Sequence, residues 1–386
     1  MSHSPARPLI AIACGGTGGH LFPGLAVAEE LQARGCAIAL LISPKEVDQA
    51  AVRHVTGMEV ITLPAVALQH GGQLAFALGF WHSLRAARKY FRAHPPRAVL
   101  AMGGFTGAPP VLAGRWQGAK TFFHESNAIP GRANRWLAHV VDEGFVGFAS
   151  ATDHLFMQRV TTTGTPVRPS FQPMEAAVAR LALRLDARRP VLLVMGGSQG
   201  ASGINDLVLS ALAPISQSRP DLQFLHLTGT GDADKVRQAY KALELKAIVH
   251  PFLSEMELAL GAATVALSRA GASSLAELAA MRVPAVLIPY PAAADNHQHF
   301  NARALFLTGA ARMVEQRLAT PAGLAKTIVG LLDNPDDLAA LGTALAAWHR
   351  PAAAAHIADR ITRAIGQSRD ASEPSQENKL TTLSPI

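Results

Sequence analysis

Short, uninterrupted apolar runs alternate along the chain with longer stretches in which apolar residues recur at helical spacing. Pro8 to Cys14, Cys36 to Ile42, Met58 to Leu63, Ala98 to Met102 and Lys120 to His124 are short and continuous, and read as strands buried on both faces. Helices fit Pro23 to Arg34, stopped at Gly35, then about Gln73 to His94 and Gly131 to Ala138. The second half repeats this rhythm. Strands fit Pro190 to Met195, Leu222 to Leu227, Ala247 to His250, Thr264 to Leu267 and Ala285 to Pro289. Between them lie helical stretches near Ile204 to Leu212, Asp232 to Leu243, Ser254 to Leu260 and Ser273 to Ala280. Such alternation predicts an α/β protein with mostly parallel sheets.

The repetition extends to the first turn of each half. Cys14 opens into Gly15-Gly16-Thr17-Gly18-Gly19, and Met195 opens into Gly196-Gly197-Ser198-Gln199-Gly200. Two facing Rossmann-like domains across a cleft are the simplest reading. The boundary falls near Thr162 to Pro173, where Gly164, Pro166, Pro169 and Pro173 break any period. This gives a first domain over 1–163, a second over 164–345, a helix over 346–365 packing back on the first domain, and a polar, disordered tail over 366–386.

Composition narrows the function classes. The chain has 386 residues, 49% hydrophobic and only 16% charged, with a formal charge of +7 that favours anionic partners without choosing among them. There is no clustered basic stripe or reading motif, which argues against nucleic acid. The two cysteines, Cys14 and Cys36, lie in apolar runs of a chain that opens without a signal peptide, so a reducing cytoplasm is expected and a disulfide scaffold is not. The longest uncharged stretch, Val60 to Leu84, is apolar without a break only from Leu74 to Trp81, far short of the ~20 residues of a spanning helix.

A glycine turn between strand and helix offers backbone N–H groups and a helix dipole to an anion, or simply serves a tight turn. Neither turn is a dinucleotide fingerprint, since Leu21 stands where the third glycine belongs, and neither closes with the Gly-Lys-Ser/Thr of a P-loop. His20 follows the first turn as a proton acceptor, a polar contact or a cap. His124-Glu125-Ser126-Asn127 is too polar for a strand end in a core and suits a cleft. In the second half, Ser273 is a candidate helix cap, with Glu277 one turn on, placed to accept both hydroxyls of a ribose or to lie in solvent. Asp295 to Asn301 forms a dense cluster of hydrogen-bonding groups. Adjacent His124 and Glu125 lack zinc-site spacing, and no metal set is evident. Phe76, Phe80, Trp81, Leu84 and Ala87 share a helical face followed by Arg85, Arg88, Lys89 and Arg92, which reads either as a foot on an anionic bilayer or as a helix buried on the sheet.

At these residues the chain resembles the MurG family of peptidoglycan glycosyltransferases. The resemblance spans roughly residues 8 to 345. It rests on Gly15 to His20 with Phe22-Pro23-Gly24, Gly103-Gly104-Phe105, His124 to Asn127, Thr165-Pro166-Val167-Arg168, Gly196 to Gly200, Arg269 to Ala272, and Gln298 with Asn301. It implies the GT-B architecture, with an acceptor-binding, membrane-associating first domain and a donor-binding second domain. The reaction implied is inverting transfer of N-acetylglucosamine from UDP-N-acetylglucosamine to undecaprenyl-pyrophosphoryl-N-acetylmuramyl pentapeptide.

Residue by residue, the resemblance implies that Thr17, Gly18, Gly19 and His20, with Gly104 and Phe105, serve the acceptor side. Asn127 contacts the donor sugar, Arg168, Ser198, Gln199 and Gly200 the donor phosphates, and Phe252 the uracil. Arg269 and Ala272 line the donor site, Glu277 holds the ribose, and Gln298 and Asn301 meet the transferred sugar. Ser126, Thr165 and His297 depart from residues frequent in relatives. The expected general base is His20, with Glu125 or a water relay as the alternative. No cofactor is required, a divalent cation being at most non-essential. The enzyme is expected at the cytoplasmic face of the cell membrane, held peripherally through Phe76, Phe80, Trp81, Arg85, Arg88 and Lys89, with cell-wall synthesis and division proteins as candidate partners. Two other readings stay open: a UDP-sugar transferase acting on diacylglycerol or another lipid, and a non-catalytic sugar-nucleotide-binding module.

Overall fold

The structure, a computed structural model, describes residues 7–53, 55–64, 72–197 and 200–370. The first domain runs β1 (Leu9–Ala13), α1 (Gly18–Ala33), β2 (Ala37–Ile42), α2 (Glu46–Ala51), β3 (Glu59–Thr62), α3 (Gly72–Ala93), β4 (Ala98–Ala101), α4 (Ala108–Arg115), β5 (Lys120–Glu125), α5 (Arg132–Leu137), β6 (Glu143–Val146) and β7 (Val160–Thr162). The second begins with α6 (Ala176–Ala182), β8 (Val191–Met195), α7 (Ser202–Ser218), β9 (Gln223–Leu227), α8 (Ala233–Ala242), β10 (Ala247–His250) and α9 (Met256–Ala262). It continues through β11 (Val265–Ser268), α10 (Ala272–Met281), β12 (Ala285–Leu287), α11 (His297–Leu307), β13 (Arg312–Met313), α12 (Pro321–Leu332) and α13 (Pro335–Trp348), and the chain ends in α14 (Ala353–Asp370).

Both sheets are parallel, in the orders β3-β2-β1-β4-β5-β6-β7 and β10-β9-β8-β11-β12-β13. Strand alternation explains the continuous apolar runs. Ile10, Ile12 and Cys14 pack toward α1 and α14, while Ala11 and Ala13 face the layer of α3 and α4. In β8, Val191, Leu193 and Met195 face one layer, and Leu192 and Val194 the other. Strand order reverses beside β1 and β8, so each sheet opens a crevice at the carboxyl end of its central strand, where the glycine turns lie. Cys14 and Cys36 are buried and unpaired.

Several boundaries differ from the sequence reading. α1 begins at Gly18 rather than Pro23, so the proline lies inside the helix. The break expected at 345/346 falls within α13, and the chain turns instead at 349–352. α14 then runs to Asp370, past the expected helix end at 365, and packs on the first domain. Its Ile357, Ile361 and Ile365 join the α1 core, Arg34 bonds Asp359 at 3.0 Å, and Arg360 pairs with Glu143 at 2.9 Å. The tail over 371–386 lies outside the described residues.

The face of α3 also divides differently. Leu84, Ala87 and Phe91 are buried against the sheet. Phe80 packs partly on the same core, because the helix seats on α4 through this side. Leu74, Leu78 and Trp81 project outward, at 77%, 54% and 57% exposure, beside exposed Arg85 and Lys89. Phe76 stacks edge-on against Phe105 at 5.1 Å, and Arg88 lies over exposed Trp116 at 5.0 Å. Among the described residues, no helix is long and apolar enough to cross a membrane.

Candidate active site

The first glycine turn is pinned on several sides. The Gly16 N–H donates to Asp48 Oδ2 at 2.6 Å, and the same oxygen accepts the Ser43 hydroxyl at 2.6 Å. Lys45 Nζ donates to the Gly16 carbonyl at 2.8 Å, and Thr106 Oγ1 donates to the Gly15 carbonyl at 2.8 Å. Asp48 and Thr106 were not singled out from sequence; an acid on a six-residue helix and a threonine in a loop carry no local signal of such a task. With the turn fixed, Thr17 stands in extended backbone ahead of α1, and Gly18 and Gly19 form the helix's first turn.

His20 projects from that turn against Gly103 and Gly104. A Cβ at Gly103 would lie 2.9 Å from His20 Nε2, and one at Gly104 3.1 Å from Cε1; both glycines also have positive φ, +114° and +72°. Only glycine leaves room for the ring here. Thr17 Oγ1 lies 3.4 Å from His20 Nδ1. Burial pushes the His20 pKa below its ordinary value, against the opposing charges of Glu125 and Asp48, so the imidazole is neutral at neutral pH and able to accept a proton.

At the end of β5, His124 and Glu125 are committed to structure. His124 donates from Nε2 to the Gly164 carbonyl at 3.0 Å, which leaves Nδ1 to accept the Ser126 hydroxyl at 3.2 Å. Burial lowers its pKa to about 4. Glu125 was a candidate base, but its carboxylate is fully occupied. Oε1 accepts from Asn127 N at 2.9 Å and Asn127 Nδ2 at 3.0 Å; Oε2 accepts from Gly131 N at 2.9 Å and Asn134 Nδ2 at 2.9 Å. Its geometry is that of a carboxylate folding a loop around itself.

On the second domain, Arg168 stacks between Phe22 of α1 and Phe171, at 4.6 and 5.0 Å, and its buried Nε has no partner among the described residues. Ser198 and Gln199 lie outside the described residues; Gly200 follows them at φ +77° ahead of α7. Phe252 is exposed in the turn after β10. Glu277 is half-buried on α10, whose first residue is Ala272. Its pKa is raised to about 7 by burial, which Arg168 opposes and Glu257 reinforces.

Arg269 departs from its expected role. It is buried, and Nη1 donates to the carbonyls of Ile288 and Pro289 at 3.1 and 3.2 Å, tying the start of α10 to the loop after β12. Gln298 Oε1 accepts from Ala270 N at 3.2 Å and Tyr290 N at 3.0 Å, while its amide nitrogen has no partner among the described residues. Asn301 is wholly buried. Its Oδ1 accepts from Ala128 N at 2.8 Å, and Nδ2 donates to Asn127 Oδ1 at 3.0 Å and Ala270 O at 3.1 Å.

The two domains therefore meet through paired side chains. Asn301 bridges to Asn127, and Arg135 on α5 pairs with Asp295 at 2.7 Å. His20 of the first domain lies near Glu125, Asp48, Lys45 and His297, and its turn is joined to α10, which carries Glu277, through Ser273. Among the described residues no group of three or more metal-ligating side chains is placed to hold an ion.

Residues 10–146 match the glycosyltransferase family 28 N-terminal domain and residues 191–360 the family 28 C-terminal domain. The UDP-N-acetylglucosamine–N-acetylmuramyl-(pentapeptide) pyrophosphoryl-undecaprenol N-acetylglucosamine transferase of Desulforudis audaxviator is 35% identical over 372 residues, covering 93% of this chain and 99% of that protein. Its counterpart in Mesorhizobium japonicum is 36% identical over 372 residues, covering 95% and 98%. The crystal structure of Acinetobacter baumannii MurG, 26% identical, superposes with a TM-score of 0.72 over 93% of this chain and 100% of that one.

Proposed function

The chain belongs to the family of UDP-N-acetylglucosamine–N-acetylmuramyl-(pentapeptide) pyrophosphoryl-undecaprenol N-acetylglucosamine transferases, and we propose that it adds N-acetylglucosamine to the lipid-linked muramyl pentapeptide, converting lipid I to lipid II in peptidoglycan synthesis. The observation that carries the chemistry is the neutral His20 imidazole, wedged between Thr17 and Gly103-Gly104 at the mouth of the cleft.

The muramyl 4-hydroxyl oxygen attacks the anomeric carbon opposite the departing UDP. A new O4–C1 bond forms, the C1–O bond to the β-phosphate breaks with its electron pair leaving on UDP, and the hydroxyl proton passes to His20. A hydrogen bond from Nδ1 to Thr17 keeps the Nε2 lone pair for this proton. Charge developing on the diphosphate falls on the N-terminus of α7, the second glycine turn and Arg168, whose Nε awaits a partner. In this scheme a divalent cation is at most an accessory. Gln298 turns its unpaired amide nitrogen to the sugar, while Arg269 and Asn301 shape the site from behind.

Glu277 serves the ribose. With its pKa raised to about 7, the free carboxyl is largely protonated below pH 7, and accepting both ribose hydroxyls favours the ionised form. Donor affinity is therefore expected to rise with pH, the apparent Kd of UDP falling up to about tenfold per unit below pH 7 and levelling above it. Glu277→Gln should weaken binding at pH 8 and flatten this dependence. Calorimetric titration of UDP across pH 5.5–8.5 checks both.

The enzyme works at a membrane surface as a peripheral protein, and the cytoplasmic leaflet is its proposed side. The outward Leu74, Leu78 and Trp81, ringed by Arg85 and Lys89, suit an anionic bilayer. The Phe76–Phe105 contact continues this apolar surface to the loop beside His20, a natural route for a lipid-anchored acceptor. Leu74→Ser with Leu78→Ser and Trp81→Ser should cut cosedimentation with anionic vesicles by more than tenfold while the turnover of a short-chain acceptor persists. Unchanged cosedimentation would return this face to a non-membrane role.

The overall assignment is tested by UDP release from UDP-N-acetylglucosamine with and without short-chain lipid acceptor. Acceptor-dependent release with a product heavier by one N-acetylhexosamine is the expected result. Release with diacylglycerol alone, or donor binding without turnover on any acceptor, would overturn it.

A further inference from the structure

Helix α1 carries Pro23 at its sixth position. In an α-helix the carbonyl of Gly19 would receive the N–H of residue 23, and proline has none. The opening falls one residue before His20, and it is filled from the other domain: the Ser273 hydroxyl donates to the Gly19 carbonyl at 2.9 Å. A serine at a helix start commonly caps its own helix. Here the cap position of α10 belongs to Gly271, no side-chain cap bond is made, and Ser273 points across the cleft. Glu277 stands one turn further along the same helix, so α10 joins the ribose-binding carboxylate to the turn that carries the imidazole.

Resting on the reaction proposed above, we infer that Ser273 is a positioning residue that couples the donor site to His20. Its hydroxyl occupies the carbonyl that Pro23 leaves open and sets the Thr17–His20 turn when α10 is held by bound donor. The catalytic turn of the first domain is thus completed by the second.

The test uses the full-length enzyme. Ser273→Ala should lower kcat about five- to tenfold, the worth of one hydrogen bond, with UDP affinity within about twofold of wild type, and Ser273→Thr should restore most of the rate. Pro23→Ala returns an N–H to the Gly19 carbonyl and should reproduce the loss, with Ser273→Ala adding nothing in that background. Without acceptor, UDP-N-acetylglucosamine should shift the His20 ring NMR signal, identified by its loss in His20→Asn, in wild type but not in Ser273→Ala. A kcat for Ser273→Ala within twofold of wild type overturns the inference. So does a loss of UDP affinity matching the loss of kcat, additivity with Pro23→Ala, or an identical His20 shift in both proteins. If wild type shows the donor-dependent shift but no acceptor-dependent turnover, the reaction assignment fails and the coupling stands.

Discussion

Replacing His20 by alanine is expected to lower kcat about 10²- to 10⁴-fold, the span typical for losing a general base, while the UDP affinity stays within about twofold. The separation follows from geometry. His20 belongs to the first domain's turn, braced by Thr17 and walled by Gly103 and Gly104, whereas Arg168, Glu277 and Gly200 lie beyond β7 in the second domain, the proposed donor side. Removing the imidazole leaves the donor residues in place and takes away only the acceptor for the 4-hydroxyl proton. Because burial lowers the His20 pKa, the neutral, proton-accepting form persists below the ordinary 6.5, and the acid limb of kcat should lie below that value. The variant should lose that limb along with the rate. UDP affinity falling in parallel with kcat would make His20 a donor contact rather than the base.

Much of this architecture was legible in the chain because parallel strands covered on both faces must be continuously apolar. β1 and β8 announce themselves in this way, and their glycine turns follow directly. The start of α1 was hidden by its own composition, since Gly18, Gly19 and an interior Pro23 all argue against helix by local propensity. α4 was masked by Pro109 and Pro110 at its first turn, and β6, which opens with Glu143 and Gly144, and β7, with Thr161 and Thr162, lack the continuous apolar run that marks the central strands. For the candidate site, the sequence names residues but not the contacts they make. Arg269 is spent on carbonyls 19 and 20 residues away, and Asn301 on partners 31, 173 and 174 residues away. Ser273 bonds the Gly19 carbonyl, 254 residues away, to which Pro23 has no N–H to give. Such roles arise from the juxtaposition of two domains, and no local pattern encodes them.

Glu125 provides the sharpest contrast between type and task. As a carboxylate beside a catalytic cleft it qualifies as a base, yet its two oxygens accept four hydrogen bonds from Asn127, Gly131 and Asn134. Glutamine at this position has one acceptor oxygen where two are needed, so its amide group must face a pair of N–H donors, at least one of them a backbone N–H fixed by the fold. Losing these charge-assisted bonds in a buried setting costs about 3–5 kcal/mol, which for a domain of this size lowers the melting temperature by roughly 6–20 °C. The damage should then spread to Asn127, whose side chain reaches Asn301 across the cleft. Glu125→Gln is therefore expected to unfold at lower temperature and to raise the donor KM, while its kcat keeps the acid limb set by His20. If Glu125 were the base, the same substitution would remove that limb and most of kcat at nearly unchanged melting temperature. The paired measurement of thermal unfolding and the pH profile thus distinguishes a carboxylate that builds the donor-sugar loop from one that takes the proton.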